Sequence, residues 1–332
     1  MRKLATIEEV QSLEPIPDAD RIELAKIRGW NVVVQKGLYE VGDRVVYFEI
    51  DSMLDIEMPQ FQFLSERGVR TDDADGFKGH VVKTMRLRGQ YSQGLAIPIS
   101  EFDLSGPVGG DVTDLLGVRK WEPPIPASLS GRVRGRLPSW VHKTDSERIQ
   151  NCEYLFPLEN VVATEKIDGS SATYSLHQEE GFHVCSRNLS LYRTDGNTFW
   201  DMADRLDIEK VLHGYLKDSN ALTVTVQGEL FGEGIQSNRL GVKGHRFAAF
   251  NFEVDGIPQD IPSEFEAVPR IDSKPPTSLS EALEGVDGMM SHINPKRLAE
   301  GLVWRLRDNQ PFPDGNRTVK AISNKYLLKE TK

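Results

Sequence analysis

The first third of the chain is a series of short apolar stretches separated by glycines, and this spacing constrains the fold more than any other feature. Residues 22–27 alternate, residues 30–34 are rich in β-branched side chains, and residues 43–50 (DRVVYFEI) form a third apolar stretch. Gly29, Lys36-Gly37 and Gly42-Asp43 punctuate them, and further stretches follow at 80–84 and 94–98. Short runs at this spacing predict strands joined by tight turns. A parallel strand pair would need a crossover of a dozen or more residues, so the expected architecture is a small closed barrel. A short helix is expected over 112–116.

Periodicity fails between residues 121 and 151. The segment WEPPIPASLSGRVRGRLPSW interleaves Arg132, Arg134 and Arg136 with Trp121 and Trp140 among Pro, Gly and Ser. It reads as a linker, or as a clamp whose arginines contact phosphates while the indoles stack on bases. The expected organisation is a barrel domain over 1–120, a linker over 121–151 and a second domain over 152–332. In the second domain, residues 160–164, 171–176, 222–227 and 247–254 read as strands, and 200–217 has helical spacing of apolar residues. Ser278 and Glu281 form a capping box before a short helix. The fold class is therefore α+β, with an N-terminal β-barrel followed by an α+β domain. Pro15 to Glu23 (PIPDADRIE) resembles the opening of tRNA-binding OB modules, which makes the barrel OB-like.

Composition excludes several classes. The 332 residues correspond to about two domains at roughly 150 residues each. No stretch approaches the ~18 apolar residues of a membrane span, and the opening MRKLATIEEVQSLEP lacks the apolar core of a secretory signal. Cys152 and Cys185 form no CxxC pattern, so a disulfide framework and a zinc ribbon are not expected and a reducing, cytoplasmic setting is. The net charge of −10 argues against a chain uniformly coated in nucleic acid. Charge is nevertheless uneven: residues 119–148 carry seven basic against three acidic side chains, and residues 296–332 carry nine against four. Lys83, Arg86, Arg88 and Tyr91 fall in an acid-free stretch, 80–94, that could line the open face of the barrel. Each basic stretch can also be read as a solvated surface. His177 and His183 are expected to share a hairpin, in a core or surface role rather than as metal ligands.

One constellation carries chemistry. Glu165-Lys166-Ile167-Asp168-Gly169-Ser170 stands where a strand ends and a glycine turns the chain. A K-x-D-G match alone arises by chance in about one chain of this length in ten, often as a surface turn with an ion pair. Lys166 can act as a nucleophile toward phosphorus only as a neutral amine. Its pKa, ordinarily about 10.4, must then be lowered by burial or nearby cations. Further pieces follow in order: Ser186-Arg187-Asn188, the segment Gln227 to Gly232 (QGELFG), the strand Phe247 to Phe252, Glu300 to Arg305 (EGLVWR), and Val319 to Lys325 (VKAISNK).

This ordered set resembles the nucleotidyltransferase motifs of ATP-dependent polynucleotide ligases and capping enzymes. EKIDGS, GELFGEGIQ and EGLVWR are most similar to RNA ligases. A barrel placed before the catalytic domain resembles the subgroup typified by the Deinococcus RNA ligase. DNA ligases and capping enzymes place the OB module afterwards, where only about a dozen residues remain here. The resemblance implies a nucleotidyltransferase second domain, ATP as co-substrate and Mg²⁺ or Mn²⁺ as metal. It implies that Lys166 is the nucleophile, that Lys320 contacts the phosphates, and that Glu300 and Asp168 hold the metal directly or through water. It further implies that Glu229 accepts from the ribose hydroxyl, Arg187 contacts the sugar–phosphate region and Glu165 helps to bind adenine. Phe250 stacks on adenine, with Phe247 as the alternative. Many relatives carry K-x-K in the last motif, whereas Ile322 stands at its second position here. Lys325 either takes part in phosphate contacts or faces solvent.

The implied cycle transfers AMP from ATP to Lys166, then to a 5′-phosphate, and a 3′-hydroxyl finally expels it. The implied substrate is RNA, or an RNA/DNA duplex nicked beside a 3′-hydroxyl RNA end, bound by a monomer with no protein partner and no membrane. Contacts to it are expected from Lys83, Arg86, Arg88, Arg132, Arg134 and Arg136. Two other readings remain at this point: a capping-type guanylyltransferase, and an OB-fold nucleic-acid-binding protein whose second domain has lost catalysis. No G-x-S-x-G, H-E-x-x-H or Walker pattern is present.

Overall fold

The computed structural model describes residues 3–72, 75–121 and 133–328. The chain divides into two compact units, one built on Met1–Ile125 and the other on Pro126–Tyr326.

In the first unit a five-stranded antiparallel sheet runs in the order Leu95–Pro98, Arg44–Phe48, Ala5–Pro15, Ile22–Ile27, Trp30–Gln35. Its ends are drawn together: Gln93 N donates to Asn31 O at 2.8 Å, and Val33 N to Ser92 Oγ at 3.0 Å. The sheet therefore curls into a half-barrel around Trp30, Tyr47, Phe48, Phe61 and Phe102. The longest strand, Ala5–Pro15, is absent from the sequence reading because acids interrupt its apolar pattern. One of them, Glu8, is buried with Glu49 around Arg28, whose guanidinium lies 3.6 and 3.4 Å from the two carboxylates. Residues 112–116 are not the expected helix. Thr113 Oγ1 accepts from the backbone N–H of Leu4 and Ala5, which holds the segment as a turn against the first strand.

The second unit holds two sheets. A seven-stranded sheet runs Val133–Arg136, Leu189–Leu191, Gly181–Cys185, Ser170–His177, Thr223–Gly232, His245–Val254, Ile257–Gln259. Alternation gives it two unlike faces. Tyr174, Leu176, Val184, Val224, Val226 and Phe252 pack with the helices Thr198–Arg205 and Ile208–Ser219. The other face carries Thr173, Ser175, His183, Gln227 and Glu229. The single helix expected over 200–217 is broken because Asp207 adopts the left-handed conformation, with φ of 48°. A five-stranded sheet runs Glu147–Arg148, Val319–Ile322, Gly301–Leu306, Val161–Lys166, Arg270–Ile271. It packs on the helix Leu279–Val286, whose N-terminus is capped by Ser278 as the sequence predicts.

The linker expected over 121–151 is corrected in its second half. Val133–Arg136 is the edge strand of one sheet and Glu147–Arg148 that of the other. An edge strand tolerates polar side chains on both faces, so it leaves no apolar alternation to read. Among the described residues, no helix is long and apolar enough to cross a membrane.

Candidate functional site

Lys166 is the last residue of its strand, and Gly169 then turns the chain into the Ser170–His177 strand of the neighbouring sheet. A Cβ on Gly169 would lie 2.5 Å from Leu230 O and 2.9 Å from Glu229 Cγ, so only glycine allows this turn to press against the Glu229 strand. On the other side Lys166 pairs in register with Gly301, and Gly301 with Ile322. A Cβ on Gly301 would overlap Ala321 O. The two glycines bring Glu229 and Glu300, distant in sequence, to the lysine that Asp168 closely follows.

The ammonium of Lys166 donates to Glu300 Oε2 at 2.7 Å. Burial pulls its pKa down, but the negative charges of Glu300, Glu229 and Asp168 outweigh burial and hold it above the ordinary lysine value. A lowered pKa is therefore not a property of the protein alone. Glu229 shows the complementary strain: burial, with the charges of Glu300 and Asp168, pushes its carboxyl up to about 8 against the pull of Lys166 and Arg187. Asp168 Oδ2 accepts from the Tyr326 hydroxyl at 2.6 Å. Tyr326 is itself buried, with the Arg239 guanidinium 4.3 Å from its ring centroid. The sequence reading missed Tyr326, which no motif marks.

Lys320 lies on the strand Val319–Ile322 opposite Val303, which is opposite Thr164. Directly paired residues of antiparallel strands share a face, so Lys320 projects from the same face as Lys166. Ile322 is on that face too and is buried, while Lys325 pairs with Asp287 at 3.7 Å.

Phe247 and Phe250 are separated by the structure. Phe247 is buried, edge-on to Tyr174 at 5.2 Å. Phe250 is half-buried and is the extra residue of a β-bulge, since Gln227 pairs with Asn251 and Gly228 with Ala249. Arg187 is exposed and bonds Asp145 at 2.6 Å, and its charge still reaches Glu229.

Glu165 is held on its own set of partners. As the neighbour of Lys166 in a strand, it points to the opposite face. There it is buried, with both carboxylate oxygens engaged by the Ser291 hydroxyl and by His292 N, the latter at 2.7 Å. It anchors the 291–292 turn from that face. Lys83, Arg86 and Arg88 are exposed in the first unit, with Arg86 5.7 Å from the Tyr91 ring centroid. Arg134 and Arg136 are exposed on the edge strand of the second unit, and Arg132 lies outside the described residues.

The donor set facing Lys166 is made of carboxylate oxygens, the type that hard divalent cations prefer. Among the described residues, no group of three or more His, Cys, Asp or Glu is arranged to hold a metal by itself. An ion such as Mg²⁺ is commonly held by one or two carboxylates together with substrate phosphates and water.

Comparison with known proteins gives a consistent result. An OB-fold domain model matches residues 4–99, and an RNA ligase model matches residues 159–322. No curated protein matches. Among solved structures, the chain is similar to a Naegleria gruberi RNA ligase mutant in its apo form, at 35% identity and a TM-score of 0.84 over 99% of this chain and 98% of that one. It is similar to the same ligase with pyrophosphate, at 35% identity and a TM-score of 0.83 over 99% of each chain. A further mutant with ATP and manganese matches at 35% identity and a TM-score of 0.82 over 100% of both chains.

Proposed function

The chain belongs to the RNA ligase family, and on that premise we propose that it is an ATP-dependent ligase that joins a 3′-hydroxyl RNA end to a 5′-phosphate through a Lys166–AMP intermediate. One observation carries this reading. A single lysine at the mouth of two sheets is faced by three carboxylates and ion-paired to one of them, a resting nucleophile held beside a cation-seeking cluster.

In the first step Lys166 Nζ, stripped of a proton, attacks the α-phosphorus of ATP. The N–P bond forms, the bond to the bridging oxygen breaks, and pyrophosphate leaves. Charge builds on the nonbridging oxygens, and the ammonium of Lys320 projects from the same face to meet it. Mg²⁺ or Mn²⁺, when bound, adds positive charge to these phosphates and offsets the carboxylates that hold the Lys166 pKa up. Glu300 and Asp168 are the residues that would hold it, Tyr326 fixing the carboxylate of Asp168. Glu229 faces the ribose, Phe250 offers the more accessible ring for adenine, and Arg187 lies near enough to act on Glu229 by charge.

In the second step an oxygen of the 5′-phosphate takes AMP from Lys166, breaking the N–P bond. In the third the 3′-hydroxyl attacks that phosphate and AMP departs with its electron pair. The protein acts there by alignment, since AMP is already a good leaving group. The substrate is a duplex nicked beside an RNA 3′-end, bound by a monomer. The two cysteines, both buried and free, suit a reducing cytoplasm.

The test is incubation of the purified protein with α-labelled ATP and Mg²⁺ or Mn²⁺, with labelled GTP in parallel. Label from ATP that is lost in Lys166→Ala is the expected result. Label from GTP alone would indicate capping chemistry. No label from either, in protein free of pre-bound AMP, would overturn the reading.

A further inference from the structure

At the edge strand of the seven-stranded sheet, Arg134, Arg136, Trp140, His183 and Ser190 line a groove of about 250 Å³, with Glu180 at its side. We propose that this groove is a phosphate-binding subsite for the polynucleotide strand, seated several nucleotides from the reacting ends. The proposal rests on the ligase reading and adds to it where the strand is held.

Three features of the groove argue for an anion. Val133 pairs with Leu191 and Gly135 with Ser190, which leaves Arg134 as the extra residue of a β-bulge. A bulge re-aims its side chain, and here the guanidinium turns over His183, its Nη1 3.5 Å from Nδ1. Among the described residues, neither Arg134 nor Arg136 is in an ion pair, although acids outnumber bases in this chain.

His183 supplies the second feature. It is 7% exposed, and burial together with the Arg134 charge holds its pKa below the ordinary histidine value, so the ring is neutral near pH 7. Its Nδ1 is shared between the Arg134 guanidinium and the Ser190 hydroxyl, the latter at 3.3 Å. Nε2 is buried with no hydrogen-bond partner among the described residues. A buried ring nitrogen without a hydrogen-bond partner is costly and calls for one from a ligand. Thirdly, Trp140 is fixed by Nε1 donating to Ser175 Oγ at 3.0 Å and by His177, 4.4 Å away between ring centroids. It forms a rigid wall beside the arginines.

Position sets the span. Four strand steps separate Val133–Arg136 from the Glu229 strand, about 19 Å at about 4.8 Å per step. At about 3.4 Å of helix axis for each phosphate of one strand, a duplex laid along this line spans five or six nucleotides, give or take about one. Glu229, His183 and Ser190 share one face of one sheet, so a strand can run from one to the other without turning a corner.

The test uses the full-length protein and fluorescein-labelled nicked duplexes. In one, both strands flanking the nick are twelve nucleotides; in the other, both are cut to four. Arg134→Ala/Arg136→Ala is expected to weaken binding of the long duplex about tenfold near 0.1 M salt. It should also reduce the slope of log K against log salt by about one to two, at about 0.9 for each phosphate no longer neutralised. The short duplex should bind the variant and the unaltered protein alike, and Arg134→Lys/Arg136→Lys should recover most of the slope. Melting temperatures within a degree or two of one another exclude misfolding as the cause. An unchanged slope for the long duplex, or an equal loss for the short one, would overturn the proposal. Failure of the unaltered protein to take label from ATP would instead overturn the ligase reading and leave the binding result standing.

Discussion

Lys166 Nζ and Glu300 Oε2 stand 2.7 Å apart, so the candidate nucleophile rests as one half of an ion pair. An ammonium has no lone pair for phosphorus, and the pair must be loosened before attack. Glu300→Gln keeps the shape and removes the charge that heads the forces raising the Lys166 pKa. The pH at which half-maximal adenylylation is reached should therefore move down. The maximal rate should nonetheless fall, on the order of a hundredfold, because Glu300 is also a metal-holding residue. Single-turnover labelling across pH 6 to 10 reads both effects. A rate that falls with no movement of the profile would show that Glu300 does not control the Lys166 charge.

Glu229 makes the nucleotide-free protein sensitive to pH. Its carboxyl titrates near 8 when folded, against an ordinary value of about 4.5. Between those values the folded protein holds a proton that the unfolded chain does not. Stability is then full below the lower value and falls as pH rises toward 8, with no further loss from this group above it. In protein free of nucleotide and metal, the melting temperature should drop across pH 5 to 8. Glu229→Gln, which cannot ionise, should flatten that part of the curve, a difference on the order of a few kcal/mol at pH 8. Parallel curves for the two proteins would refute the assignment.

Phe247 and Phe250 are three residues apart and should fail in different ways. Phe247 is packed between Tyr174 and Phe265, so Phe247→Ala should cost about 3–5 kcal/mol of stability. Phe250 is half-buried on its bulge. Phe250→Ala should leave the denaturation midpoint within about 1 kcal/mol of the unaltered protein and raise the ATP concentration needed for half-maximal labelling. If the two substitutions exchange these effects, the adenine-stacking ring is Phe247.

How much of the site is legible in the sequence depends on the range of the interaction. Lys166, Asp168, Glu229 and Glu300 can be named because each sits in a short motif, and the structure brings those four together. Interactions between segments far apart in sequence leave no such mark. Ser291 and His292 reach back 126 and 127 positions to hold Glu165, an anchor that no motif marks. The strand Ala5–Pro15 is hidden because one of its acids, Glu8, is buried beside Arg28 rather than left outside. The strand Val133–Arg136 is hidden because an edge needs no apolar pattern.

Tyr326 gives the sharpest test of such a long-range contact, since it meets Asp168 across 158 positions. Its hydroxyl donates to a carboxylate, and it is itself buried and covered by Arg239. Tyr326→Phe removes one oxygen and keeps the ring in place. A hydrogen bond to a charged group contributes about 1.5–3 kcal/mol. Asp168 should lose its fixed orientation rather than its charge. The adenylylation rate should then fall on the order of tenfold to a hundredfold, with at most a slight change in half-saturating ATP. The metal concentration for half-maximal rate should rise along with it, because an Asp168 free to rotate holds the ion less well. A drop in melting temperature with both kinetic constants intact would reduce Tyr326 to a packing residue.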